Sequence, residues 1–134
     1  MPQRNFLTRF SEDLARDRAW YIELLGYEVA FDSDWFVQLR APGSELVELG
    51  LLARGHALIP EADQHDAARG GMLTVVVDDV DAVHQRAVER GETIVEAPRN
   101  LFYGQRRMLV RDPGGMLVDV SSECPPDPEW LASL

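Results

Sequence analysis

Hydrophobic positions along this chain change period several times, and each change marks an element. Residues 5–10 alternate loosely between apolar and polar, which predicts a short strand. After Asp13, Leu14, Tyr21, Leu24 and Leu25 fall on one helical face, with Arg16 and Glu23 opposite. Asp13 offers an N-cap carboxylate, and Gly26 offers the left-handed position that ends the helix. Trp20 and Tyr21 are expected to pin this helix to a sheet. Strands follow over 27–31, 35–40 and 45–52, with turns at Asp32-Ser33-Asp34 and Pro42-Gly43.

Residues 54–71 carry Pro, Gly, two His and mixed charge without a sustained period. They read as a connector, long enough to hold a short helix or to act as a flap. The order of elements then starts again. Residues 72–77 are β-branched and almost wholly apolar, which predicts a buried strand. Asp78-Asp79 opens a helix lined by Val80, Val83 and Ala87, and Gly91 ends it. Strands are predicted over 93–96, 105–111 and 116–121, with a loop over 98–104.

The spacing points to an internal repeat. Asp13 and Asp79 stand 66 positions apart, Gly26 and Gly91 65 apart, and the two Pro-Gly turns 71 apart. Leu46-Val47-Glu48-Leu49 follows the first turn as Leu117-Val118-Asp119-Val120 follows the second. On that alignment Glu48 and Asp119 are equivalent acids on equivalent last strands. The expected fold class is α+β, one domain over 1–134 built from two tandem βαβββ modules. Module one covers 5–53, the connector 54–71, module two 72–121 and a tail 122–134.

Composition narrows the partners. A chain of 134 residues with 46% hydrophobic and 27% charged residues is long enough for a real core. Its net charge of −10, from 13 basic and 23 acidic residues, repels phosphate backbones and argues against nucleic acid. The same charge favours a cationic ligand. Cys124 is the only cysteine, which fits a reducing compartment. The N-terminal Met-Pro-Gln-Arg-Asn has no apolar leader, and no stretch reaches membrane-spanning length. The expected location is cytoplasmic, away from membranes. The tail has Pro125, Pro126 and Pro128, then Trp130 beside Leu131 and Leu134. It is too apolar to leave in water and is expected to pack on its own module or on a partner chain.

Three motifs carry a family resemblance. They are Asp13-Leu14 through Trp20-Tyr21 to Leu24-Leu25-Gly26; Val77-Asp78-Asp79-Val80-Asp81-Ala82; and Phe102-Tyr103-Gly104-Gln105-Arg106 leading into Arg111-Asp112-Pro113-Gly114-Gly115. Together with the duplicated modules they resemble the vicinal oxygen chelate superfamily of glyoxalase I, bleomycin resistance proteins and extradiol dioxygenases. The likeness covers about residues 5–121. It implies that the modules form a cupped mixed sheet around a cleft. It also implies that the chain forms a homodimer.

In metal-dependent members of that family, His, Gln or Glu from the first and last strands of each module hold a divalent ion. The last-strand positions carry over as Glu48 and Asp119. Counting back from the two helix caps puts the first-strand positions at Phe6 and Met72, neither a ligand for Mg²⁺, Mn²⁺ or Zn²⁺. Asn5, Thr8 or Thr74 would enter only under a register shift of one or two. No metal cofactor is therefore expected, and Glu48 and Asp119 become cleft-lining acids that need a basic partner, hydrogen bonds or a cationic ligand. Arg106 and Arg107 are expected internal partners. Trp35, Phe36, Phe102 and Tyr103 are expected aromatic walls, and an acidic floor between such walls suits a planar cation. His56 and His65 are read as exposed loop residues, and His84 as a packing or capping residue. No catalytic residue is assigned.

The expected function is metal-independent binding of a small organic molecule, cationic or aromatic, by Trp35, Glu48, Phe102, Tyr103, Arg106 and Asp119. The alternative is a metal-dependent lyase or dioxygenase that uses Glu48 and Asp119 as two ligands of a divalent metal ion. A third reading is an interaction module whose cup is filled by its own side chains.

Overall fold

A computed structural model describes residues 3–65 and 69–134. The chain divides into two compact units, 1–68 and 69–134, and the division falls inside the connector. Part of that connector, 66–68, lies outside the described residues, as do the first two positions.

The first unit runs β1 (Leu7–Ser11), α1 (Leu14–Leu25), β2 (Glu28–Asp32), β3 (Phe36–Arg40) and β4 (Leu49–Ala53). Its sheet has the order β1-β4-β3-β2, with β1 and β4 parallel and the other neighbours antiparallel. Local chemistry sets the helix ends. The Asp13 side chain accepts the Arg16 amide, and Gly26 closes the helix at φ 80°. Trp20, Tyr21 and Leu24 are buried, as are Val37, Leu39, Leu49 and Leu51 on alternate positions of β3 and β4. Each such side chain contributes roughly 1.5–3 kcal/mol by leaving water. Beneath α1 lies a polar network the sequence pattern did not announce. Asp17, fully buried, accepts from Arg9 Nη1 at 2.7 Å, from Arg16 Nε at 3.0 Å and from the Ser11 hydroxyl.

The second unit repeats the order as β5 (Met72–Val76), α2 (Val80–Glu89), β6 (Thr93–Asn100), β7 (Gln105–Arg111) and β8 (Leu117–Glu123). The sheet order is β5-β8-β7-β6, with β5 and β8 parallel. Asp79 caps α2 through the amides of Asp81 and Ala82. Val80, Val83 and Ala87 face Met108, Val110, Val118 and Val120, all buried. The α+β class and the two βαβββ modules are thus observed, as two four-stranded mixed sheets.

Several boundaries differ from the sequence pattern. β4 starts at Leu49, so 45–48 lie outside it. β6 extends through Pro98 to Asn100, which an edge strand permits because its outer amides need no ladder partner; register shifts between Glu96 and Arg99 absorb the proline. β5 is not a buried strand: Val75 is buried, whereas Met72 and Val76 are exposed on this edge of the sheet. Among the described residues the connector holds a 3-10 turn at Glu61–Asp63, tied down where Gln64 Nε2 donates to the Ile59 carbonyl and Arg54 Nη1 to the Gln64 carbonyl.

Candidate functional site

The two Pro-Gly turns close on the same backbone hydrogen bond. Ser44 N donates to Ala41 O at 3.0 Å, and Gly115 N to Asp112 O at 2.9 Å. The strands after them are offset differently. Ala41 lies nine positions before Gly50, whereas Asp112 lies seven before Asp119. In the two ladders Thr8 pairs with Gly50, and Thr74 pairs with Asp119. Gln38 opposite Gly50 likewise matches Leu109 opposite Asp119. Two extra residues ahead of β4 therefore move Glu48 out of register. The counterpart of Asp119 is Gly50, and the first-strand positions are Thr8 and Thr74 rather than Phe6 and Met72. The supposed Glu48–Asp119 equivalence is corrected accordingly.

In the first unit that position is tight for a side chain. A Cβ on Gly50 would meet the Phe36 ring at 3.0 Å and Thr8 Oγ1 at 3.1 Å. Glycine here lets an aromatic ring lie across the strand. Glu48 is exposed, and its charge acts on Tyr27, whose phenol is pushed up to about 12, first by burial and then by Glu48. Trp35 stacks on His56 with ring centres 4.7 Å apart, and His56 Nδ1 accepts the Leu58 amide at 3.1 Å. His56 is thus a built part of the connector, not a free loop side chain.

In the second unit, Ser122 accepts the first amide of α2, so even-numbered residues of β8 turn toward that helix. Asp119 and Ser121 therefore turn the other way, with Gln105, Arg107 and Leu109 beside them on β7. Asp119 is 5% exposed. Its Oδ2 accepts from Thr74 Oγ1 at 3.2 Å, and its buried Oδ1 has no partner among the described residues. Burial raises its pKa; the Thr74 hydrogen bond and the Arg107 charge pull the other way. Arg107 reaches Glu96 only at 3.5 Å through Nη2, while its buried Nε has no partner among the described residues. Gln105 Oε1 is in the same condition. Glu96 also accepts from Arg99 Nε at 2.7 Å, and Arg99 first, then Arg107, holds its carboxyl below the usual range.

Other expected site residues lie elsewhere. Arg106 shares the parity of Met108 and Val110, on the helix-bearing side. It clamps Asp81 of α2 through Nε at 2.9 Å and Nη2 at 3.0 Å, and reaches Asn100 through Nη1. It is therefore no partner of Asp119; Arg107 is the arginine on that face. Phe102 meets Trp130 of a short tail helix, α3 (Pro128–Ala132), at 5.3 Å and Tyr103 at 5.3 Å. Its carbonyl accepts the Asp127 amide at 2.8 Å. Phe102 anchors the tail, which packs on its own unit, and Tyr103 stands beside that anchor. Glu96 and Gln105 were not anticipated. The alternation of β7, with Met108 and Val110 inward, is the signal that would have placed Gln105 and Arg107 together.

Among the described residues no three His, Cys, Asp or Glu side chains cluster as metal ligands would, and no helix is long and apolar enough to cross a membrane. The sequence is 29% identical over 101 residues to an uncharacterized protein of Mycobacterium bovis, spanning 66% of this chain and 66% of that protein. Among solved structures, a superfamily member from Sphaerobacter thermophilus superposes with a TM-score of 0.72 at 23% identity, covering 92% of this chain and 98% of the other. A lactoylglutathione lyase from Agrobacterium tumefaciens superposes with a TM-score of 0.69 at 21% identity, covering 91% and 95%. These two likenesses show the fold. The family model described as Glyoxalase/Bleomycin resistance protein/Dioxygenase superfamily matches residues 3–120, and the chain belongs to that superfamily.

Proposed function

We propose that this protein binds a small organic molecule on the sheet face that carries Asp119, without a divalent metal. The observation that carries this reading is the buried Asp119 Oδ1, which lacks a partner among the described residues. A buried acceptor without a partner costs about 1–3 kcal/mol, and a ligand that donates to it recovers that cost on binding.

The donor chemistry supports the metal-free form. The register pair of the first unit is a threonine and a glycine, and that of the second is a threonine and one carboxylate. Neither pair supplies the carboxylate- and imidazole-rich shell that holds Mg²⁺, Mn²⁺ or Zn²⁺. With Glu48 out of register, the two-acid ligand pair of the metal-dependent alternative loses its geometric basis.

Thermal-shift screening of a small-molecule panel against the wild type and Asp119→Asn tests the reading. Hits that stabilise the wild type and fade in the variant are expected. Stoichiometric divalent metal in the purified protein, lost in Asp119→Asn, would overturn it.

A further inference from the structure

The face around Asp119 also carries information about the kind of molecule it takes. Three buried polar atoms there have no partner among the described residues: Gln105 Oε1, Arg107 Nε and Asp119 Oδ1. Two are acceptors and one is a donor. They sit on adjacent antiparallel strands, with Arg107 opposite Ser121 and Leu109 opposite Asp119, which makes Arg107 and Asp119 diagonal neighbours.

Charge on this face is balanced although the chain as a whole is strongly acidic. Asp119 faces the Arg107 guanidinium, and Arg107 and Arg99 share Glu96. Two carboxylates meet two guanidiniums. An ammonium ligand would satisfy Asp119 but would sit beside the Arg107 charge and leave its Nε unpaired. A carboxylate ligand would satisfy Arg107 and leave Asp119 facing an acceptor. Either choice strands a buried polar group, with the cost that follows.

We propose that the site takes a neutral molecule presenting an N–H donor beside a carbonyl acceptor, the edge of an amide, lactam or urea. The N–H donates to Asp119 Oδ1, and the carbonyl accepts from the diagonal neighbour, Arg107 Nε–H. This replaces the cationic ligand suggested by net charge, and it rests on the reading of Asp119 as a ligand anchor.

The test is a proton–nitrogen NMR titration of the full chain with benzamide and, separately, benzylammonium. Benzamide is expected to shift the backbone amides of 105–109 and 117–121 and to bind several-fold more tightly than benzylammonium. In Arg107→Met, which removes the donor and the charge, that order should invert. In Arg107→Lys, which keeps the charge but loses the planar Nε–H, benzamide binding should weaken without inversion. Tighter binding of benzylammonium to the wild type would overturn the inference. If panel molecules bind in an Asp119-dependent manner while benzamide does not, this inference alone fails. If none of them binds, the binding reading fails with it.

Discussion

Thr74 and Asp119 stand side by side on parallel strands, the hydroxyl donating to Oδ2 at 3.2 Å while the other carboxylate oxygen lies buried without a partner among the described residues. The pair is half-satisfied. The hydroxyl stabilises the ionised form, but burial outweighs it, and the acid is raised above its ordinary range.

That direction gives an inverted pH dependence for this group. The folded protein holds the Asp119 proton more tightly than the unfolded chain, so its contribution to stability falls as pH rises from the ordinary carboxylate range through the raised folded value, and stays low above it. Asp119→Asn removes this slope. Urea midpoints of the two proteins at about pH 4 and about pH 7 should show the variant gaining on the wild type at the higher pH. A wild type that gains on the variant as pH rises would refute the assignment.

Two ion pairs should respond very differently to truncation. Asp17 and Arg9 are fully buried and bonded at 2.7 Å, whereas Asp81 and Arg106 stand in solvent. Asp17→Ala removes the carboxylate bonded to the buried Arg9 charge and is expected to cost about 3–5 kcal/mol in urea denaturation. Asp81→Ala should shift the midpoint little, and less still in added salt.

Helix caps, glycine stops and the repeat were readable from the sequence because each depends on a few neighbouring residues. Register was harder, because it joins strands far apart in the chain. The apolar run 45–52 hid two extra residues before β4 and made Glu48 look like the twin of Asp119. The helix-cap offset of 66, applied to Thr8, leads to Thr74, so the first-strand pair was within reach. Arg106 and Arg107 differ by one position and therefore by a face, and the inward Met108 and Val110 decide between them. Asp17 could not have been found this way. Two of its partners, Arg9 and Ser11, lie on β1, and helical periodicity alone places a polar residue in water.

The tail should contribute to stability and not to binding. Trp130 rests edge-on against Phe102, and the Asp127 amide is held by the Phe102 carbonyl. Trp130→Ala is expected to cost about 1–2 kcal/mol in urea denaturation, from the lost aromatic contact and the lost burial. Ligands that depend on Asp119 should bind this variant as they bind the wild type. A loss of that binding would return Phe102 and Tyr103 to the site.

Gly50 offers the most direct check on the register. A methyl group there meets the Phe36 ring at 3.0 Å and the Thr8 hydroxyl at 3.1 Å, closer than side chains normally approach. Gly50→Ala should therefore cost about 1–3 kcal/mol through overpacking, although alanine usually stabilises a strand relative to glycine. The cause can be isolated. Phe36→Leu shortens the side chain and withdraws it from Gly50, so Gly50→Ala introduced into Phe36→Leu should cost clearly less than it does in the wild type. The coupling is measured as a double-mutant cycle from four urea curves. Additive costs would mean that the ring does not lie over Gly50, and the steric account of the first unit's counterpart to Asp119 would fall.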